Sequence, residues 1–234
     1  PGTGMFTVTG DVKRGGVGEF PLGTPVGEII EELSGGVNAG SVAFVLSGIA
    51  NGILRGDQLD TPTTHDAMAA AGSGLGTGGF IVFSTETDPV AVAAGVSRFL
   101  AVESCGQCTP CKAGGLDVAD RLALLVEGEA PDDAVEQLVP LIHHVPEGAR
   151  CDLGRQHERI VMSLLEQFPD VAVAHAVDHV AAPPVLIAPI VDIDDLGRVT
   201  IDESQQSKQP DWSHDESWNG QSPADRYDVA VTID

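Results

Sequence analysis

Four cysteines are the residues of this chain best able to do chemistry: Cys105, Cys108, Cys111 and Cys151. The first three stand three apart, and the fourth follows well downstream. Three thiolates at that spacing wrap one compact centre, because the backbone N–H groups between them also point at the sulfurs. Gly106 relieves crowding where the chain turns tightly, and Pro110 fixes φ ahead of the third ligand. A distant fourth ligand completes such a set, and Cys151 is the one cysteine left to supply it. The spacing therefore points to a 4Fe-4S cluster on Cys105, Cys108, Cys111 and Cys151. Structural zinc is the competing centre, although zinc prefers ligand pairs drawn from two separate knuckles. Two disulfides are the remaining alternative. A reducing, cytoplasmic setting with metal ligation suits this spacing better than secretion. His143 and His144 lie close in sequence to Cys151, but their surroundings read as an ordinary helix end. Lys112 follows the third ligand, where a cation would offset cluster charge; the plainer reading is a solvated helix residue.

The elements that must position these thiols fall into three parts. Residues 1–87 read as a small α+β unit. Met5–Val12 alternates and is β-branched, Gly15–Gly18 signals a turn, and Glu19–Gly23 reads as the returning strand of a hairpin. Thr24 is placed to cap a helix with Pro25 at its first position and Val26, Ile29, Ile30 and Leu33 as its apolar face, ended by Gly35–Gly36. Ser41–Gly48 and Gly78–Ser84 read as further strands, with a short helix over Thr64–Gly72 between them. That order is β-grasp-like. Residues 88–176 switch to helical period. Four helices are expected, over Val90–Glu103, Ala113–Ala130, Ala134–Val145 and Arg155–Phe168, with Asp132 capping the third and Pro140 kinking or dividing it. They suggest a small bundle with the cysteine triplet between its first two members. Residues 177–234 read as an extended, partly β arm. A hairpin is expected around Asp195–Gly197 and a last strand over Tyr227–Asp234. From Asp178 onward this arm holds 12 acidic and 3 basic residues, and both tryptophans, Trp212 and Trp218. It reads as a segment that orders on a surface, its own or a partner's.

Composition excludes several roles. The 234 residues carry a formal charge of −23, from 35 acidic against 12 basic residues. Such a surface repels phosphate backbones and anionic headgroups, so neither nucleic acid nor a membrane surface is an expected partner. No apolar run reaches the roughly 18 residues that a spanning helix requires. No catalytic triad or paired carboxylates are arranged for acid–base work.

Glu103–Gly114, ESCGQCTPCKAG, resembles the NADH-binding flavoprotein subunit of respiratory NADH:quinone oxidoreductase (complex I) and its relatives in NAD-linked formate dehydrogenases and hydrogenases. Met5–Gly36 is similar to that family's ligand-binding β-grasp (SLBB) domain, Leu59–Phe83 to its link to the cluster-binding helices, and Cys151–Gly154 to the place of its fourth cysteine. The glycine-rich Gly72–Gly79 matches the family's linker rather than a nucleotide loop. Lys112 stands where Arg is usual. In the family, a bound FMN takes hydride from NADH and releases electrons singly to this cluster. The resemblance thus implies an electron-transfer subunit or fragment of a larger redox complex, with flavin- or iron–sulfur-bearing subunits as partners. FMN and NADH are expected only on a missing domain or on a partner subunit, so the chain as written is not expected to oxidise NADH by itself. The alternative is a non-catalytic scaffold or adaptor whose cluster is mainly structural.

Overall fold

The computed structural model describes residues 2–210. Strand β1 (Thr3–Gly10) pairs antiparallel with β2 (Gly16–Pro21), and helix α1 (Val26–Ser34) follows. Strands β3 (Val42–Ser47) and β4 (Leu54–Arg55), the short helix α2 (His65–Ala70) and strand β5 (Gly79–Ser84) complete this part. The sheet order is β2-β1-β5-β3-β4, with β1 parallel to β5 at its centre. This is the expected α+β, β-grasp-like arrangement. Thr64 caps α2 by accepting from the Ala67 amide at 3.2 Å. Thr24 does not cap α1. Its hydroxyl donates to the Pro21 carbonyl, and Pro25 holds the cap position with no side-chain bond.

The glycine-rich run after Gly15 is strand rather than turn: Gly16 pairs with Val8 and Gly18 with Phe6. The reason is close approach. A β-carbon at Gly16 would stand 2.8 Å from the Leu33 carbonyl oxygen, and one at Gly18 would stand 2.7 Å from the Leu33 side chain. Glycine lets α1 lie directly on the edge strand.

Strand alternation divides the sheet's apolar residues between two cores. Phe6, Val8, Val45, Phe80 and Val82 face α1 and α2, where they meet Val26, Ile29, Ile30 and Met68. Phe44, Leu46 and Phe83 face the other way and join the core of the helical region. There Phe44 stacks on Phe83 with centroids 5.1 Å apart and meets Phe168 at 5.4 Å.

The helical region runs α3 (Pro89–Glu103), α4 (Gly115–Glu127), α5 (Ala134–His144), α6 (Leu153–Gln167) and α7 (Pro169–Val177). Helix α7 is an addition to the four expected, and it breaks from α6 at an angle of 84°. The break falls at Phe168–Pro169, where proline takes the first position of the new helix. Asp88 caps α3, its Oδ1 accepting from the Val90 and Ala91 amides at 2.8 and 2.9 Å. Asp132 does not cap α5; Asp133 holds that place without a side-chain bond. Helix α5 continues past Pro140. Among the described residues no single helix is long and apolar enough to cross a membrane.

The arm lies along the molecule as far as Pro210. Its start is fixed by His175, whose buried ring places Nδ1 2.5 Å from the Val180 carbonyl oxygen and Nε2 3.0 Å from Asp88. The Ala182 amide donates to Val126 at 2.9 Å. The chain then crosses α3 at Gly95, where a β-carbon would stand 2.2 Å from the Val185 carbonyl oxygen. Strands β6 (Ile190–Ile193) and β7 (Val199–Ile201) form the expected hairpin, and the Gly15 amide donates to Gly197 at 2.7 Å. Trp212, Trp218 and the expected strand over Tyr227–Asp234 lie outside the described residues.

The Gly95 crossing tests whether the arm is packed. Gly95→Ala should lower stability by about 1–3 kcal/mol through overpacking, read as a lower urea midpoint. A midpoint equal to that of the parent would refute the close crossing.

Candidate metal centre

Helix α3 delivers the chain to the cysteines and must stop before them. Ser104 leaves the helix with φ −61° and ψ 144°, Cys105 follows, and Gly106 takes the left-handed region at φ 77°. That turn sends the chain back, so Cys108 and Cys111 follow on the return. Pro110–Gly114 forms a π turn leading into α4. Cys111 therefore sits on helical backbone and is 8 % exposed, whereas Cys105 is exposed and Cys108 half-buried. Cys151 is exposed in the loop between α5 and α6, just ahead of α6.

The two loops meet. The Arg150 guanidinium donates to Gln107 at 3.3 Å, tying the residue before Cys151 to the residue before Cys108. Burial pushes the Cys111 thiol up to about 11; Cys151, Cys108 and Cys105 add to the rise, and Lys112 opposes it. The four thiols thus share one electrostatic neighbourhood around Cys111. All four are free of disulfides. Among the described residues no three His, Cys, Asp or Glu side chains converge on a point as the ligands of one ion would. A four-iron cluster does not require that convergence, because each thiolate binds its own iron.

Lys112 corrects the plainer sequence reading. It is not solvated but fully buried, at 0 % exposure. Its ammonium donates to the carbonyls of Ala101, Val102 and Ser104 at 3.1, 2.9 and 3.0 Å. These belong to the end of α3, where carbonyls lack helical partners and the helix dipole is negative. A signal for this was present in the sequence: Lys112 extends the buried stripe Gly115, Ala119, Leu122 and Val126 backward by one turn. Glu103, at the same helix end, accepts from Lys208 at 2.6 Å and Gln205 at 2.9 Å. Burial alone would raise its carboxyl, but these bonds and the charges of Lys208 and Lys112 outweigh it and hold the group below its ordinary value.

Residues that sequence reasoning missed complete the support. His157 on α6 is buried against α3 and α4. Its Nε2 lies 2.7 Å from the Ser97 hydroxyl, and its ring stands 3.3 Å from where a β-carbon at Gly115 would be. Burial drives this imidazole down to about 4. His143 and His144 instead direct Nδ1 at Glu158 and Glu147, each at 2.7 Å. The donor set left for a metal centre is four thiols beside a buried ammonium, and it suits iron–sulfur chemistry. One polar atom points the same way: the Ser104 hydroxyl, beside Cys105, is buried without a hydrogen-bond partner among the described residues.

Comparison with known proteins agrees with this reading of the helices. Residues 91–175 match the family model described as the NADH-ubiquinone oxidoreductase-F iron-sulfur binding region. The chain is 34 % identical over 171 residues to the F subunit of the NADH-quinone oxidoreductase of Rickettsia bellii (strain OSU 85-389), covering 71 % of this chain and 41 % of that protein. It is 28 % identical over 179 residues to HndC, a component of the NADP-reducing hydrogenase of Solidesulfovibrio fructosivorans, covering 76 % of this chain and 36 % of that protein. A crystal structure of an NAD+-reducing nickel–iron hydrogenase in the H2-reduced state superposes with TM-score 0.66 and 29 % identity, over 75 % of this chain and 29 % of that one. The chain is homologous to these F-type subunits. It spans about two fifths of the length of the curated relatives it matches. Residues 91–175 are thus the part of the chain that is similar to the iron–sulfur binding region of F-type subunits.

Two outcomes follow from the supporting residues. Lys112→Met keeps the apolar stem but strips the carbonyls of their cation, at a cost of about 3 kcal/mol. The iron-loaded chain should melt at lower temperature and hold less iron; unchanged melting and iron content would show the ammonium to be dispensable. His157 stays neutral in the folded chain down to about pH 4, while the unfolded chain protonates it near its ordinary 6.5. The unfolded state therefore binds more protons between those values, and stability falls as pH drops through that window, by about 3 kcal/mol in all. His157→Gln should flatten this dependence in denaturation curves taken from pH 7 to pH 5. A slope identical to the parent's would remove His157 as its cause.

Proposed function

We propose that this chain carries a 4Fe-4S cluster on Cys105, Cys108, Cys111 and Cys151 and relays single electrons within a multi-subunit, NAD-linked oxidoreductase. When bound, the cluster supplies one-electron chemistry, accepting from a flavin or a neighbouring cluster and passing to the next carrier. What supports the reading is the spacing of Cys105, Cys108 and Cys111, with Cys151 in a loop that Arg150 ties to Gln107 at 3.3 Å and a buried ammonium at the residue after Cys111. The residues divide the labour. Gly106 turns the chain back, Gln107 and Arg150 hold the two ligand loops together, and Lys112 balances thiolate charge that burial would otherwise disfavour. Burial of Cys111 keeps water from one side, while exposed Cys105 and Cys151 leave the other edge open to a partner. FMN and NADH belong, on this reading, to another domain or to a partner protein, for which the chain's relatives in hydrogenase and quinone-reducing enzymes are the support.

Metal analysis after anaerobic purification tests this. The outcome expected is about four irons and four sulfides per chain, with a brown colour that bleaches on reduction. Cys151→Ser should lower the iron content and change the spectrum of the reduced centre. Stoichiometric zinc without iron would overturn the proposal.

A further inference from the structure

Ser104 occupies an unusual position. It ends α3, its carbonyl accepts from the buried Lys112 ammonium at 3.0 Å, and Cys105 is the next residue. The residue is 2 % exposed, yet among the described residues its hydroxyl has no hydrogen-bond partner. A buried hydroxyl left unpaired costs about 1–3 kcal/mol, and folded proteins carry few of them. Two other buried side-chain atoms share this condition, His157 Nδ1 and Gln167 Oε1, but neither belongs to a residue adjoining a cysteine. Ser104 alone is left without a protein partner beside a candidate ligand.

We propose that the Ser104 hydroxyl donates a hydrogen bond to a sulfur of the cluster, a ligand thiolate or an inorganic sulfide, and so raises its reduction potential. This rests on the cluster reading above. The physics is that of a fixed dipole. An added electron makes the sulfurs more negative, so an O–H aimed at one of them stabilises the reduced state more than the oxidised one. Hydrogen bonds to cluster sulfurs are an established lever on potential. In a buried position no water competes for the hydroxyl, which strengthens the interaction. The Lys112 ammonium on the same residue's carbonyl pins the backbone from which the hydroxyl projects. Ser104 thus completes the environment of the centre, with Lys112 supplying charge and Ser104 a directed dipole.

The test uses the iron-loaded full chain, with iron counted and the midpoint potential found by redox titration followed through the electron paramagnetic resonance of the reduced cluster. Ser104→Ala should keep its iron and be harder to reduce. A tenfold fall in the equilibrium constant for one-electron reduction is expected, equal to 59 mV. Ser104→Thr, which retains the hydroxyl, should match the parent. If Ser104→Ala sheds iron, the isosteric pair decides. Threonine holding the parental potential while Ser104→Val loses iron supports the bond, and equal behaviour of the two overturns it. Full iron and an unchanged potential in Ser104→Ala would also overturn it while leaving the cluster intact. A parent chain without iron is a different result, because it refutes the cluster itself.

Discussion

The site depends on one buried contact, the Lys112 ammonium against the last carbonyls of α3. A helix that stops inside a protein leaves carbonyls that must find donors, and an ammonium taken out of water must find acceptors. Each defect resolves the other here. Because Lys112 follows Cys111 and the carbonyls precede Cys105, the contact closes the cysteine loop at its base. It sets where α3 ends, where α4 begins and how far apart the first and third thiols can drift. Removing a partner of such a contact is costlier than never having built it, since a buried group would remain unpaired.

The same contact explains why the π turn at Pro110–Gly114 belongs where it does. The turn carries Cys111 and Lys112 side by side, both buried, while Gly115 beyond it lets the His157 ring approach the backbone. Ser97 on α3, Gly115 on α4 and His157 on α6 thereby form a three-helix contact behind the thiols. Helix α6 begins two residues after Cys151, so this contact also orients the loop that presents the fourth thiol. Glu103 extends the arrangement outward, because Gln205 and Lys208 bring the arm back to the helix end that Lys112 holds from within.

Much of this was legible in the residues. Alternation exposed β1, β3 and β5, and the 3.6 period exposed α1, α3, α4, α5 and α6, because in each case one face is buried and the other wet. The cysteine set was readable because its spacing is local chemistry. What escaped was whatever tertiary contact decides. Gly16 and Gly18 looked like a turn, since sequence does not show α1 lying on them. Thr24 and Asp132 looked like caps, yet each helix starts one residue later than its cap required. Lys112 looked solvated because charge usually is, although its place on the α4 stripe pointed inward. Helix α7 was missed because Pro169 directly after Phe168 reads as an end, whereas proline equally opens a helix.

Charge gives the last step. The chain as a whole carries −23, and four thiolates holding a cluster would add further negative charge around Cys111, which is buried. An acidic protein of this kind disfavours putting an electron into its interior. The sequence supplies few cations with which to compensate, 12 in all, and one of them is buried beside the third thiol. A second, Lys208, comes from the arm to Glu103 at the end of α3, and a third, Arg150, bridges the ligand loops. One basic residue beside the third thiol and two from distant parts of the chain thus meet the segment from Ala101 to Cys111. Of the three, Lys208 is matched by Glu103, so the buried Lys112 is the cation that answers the charge of the thiols most directly.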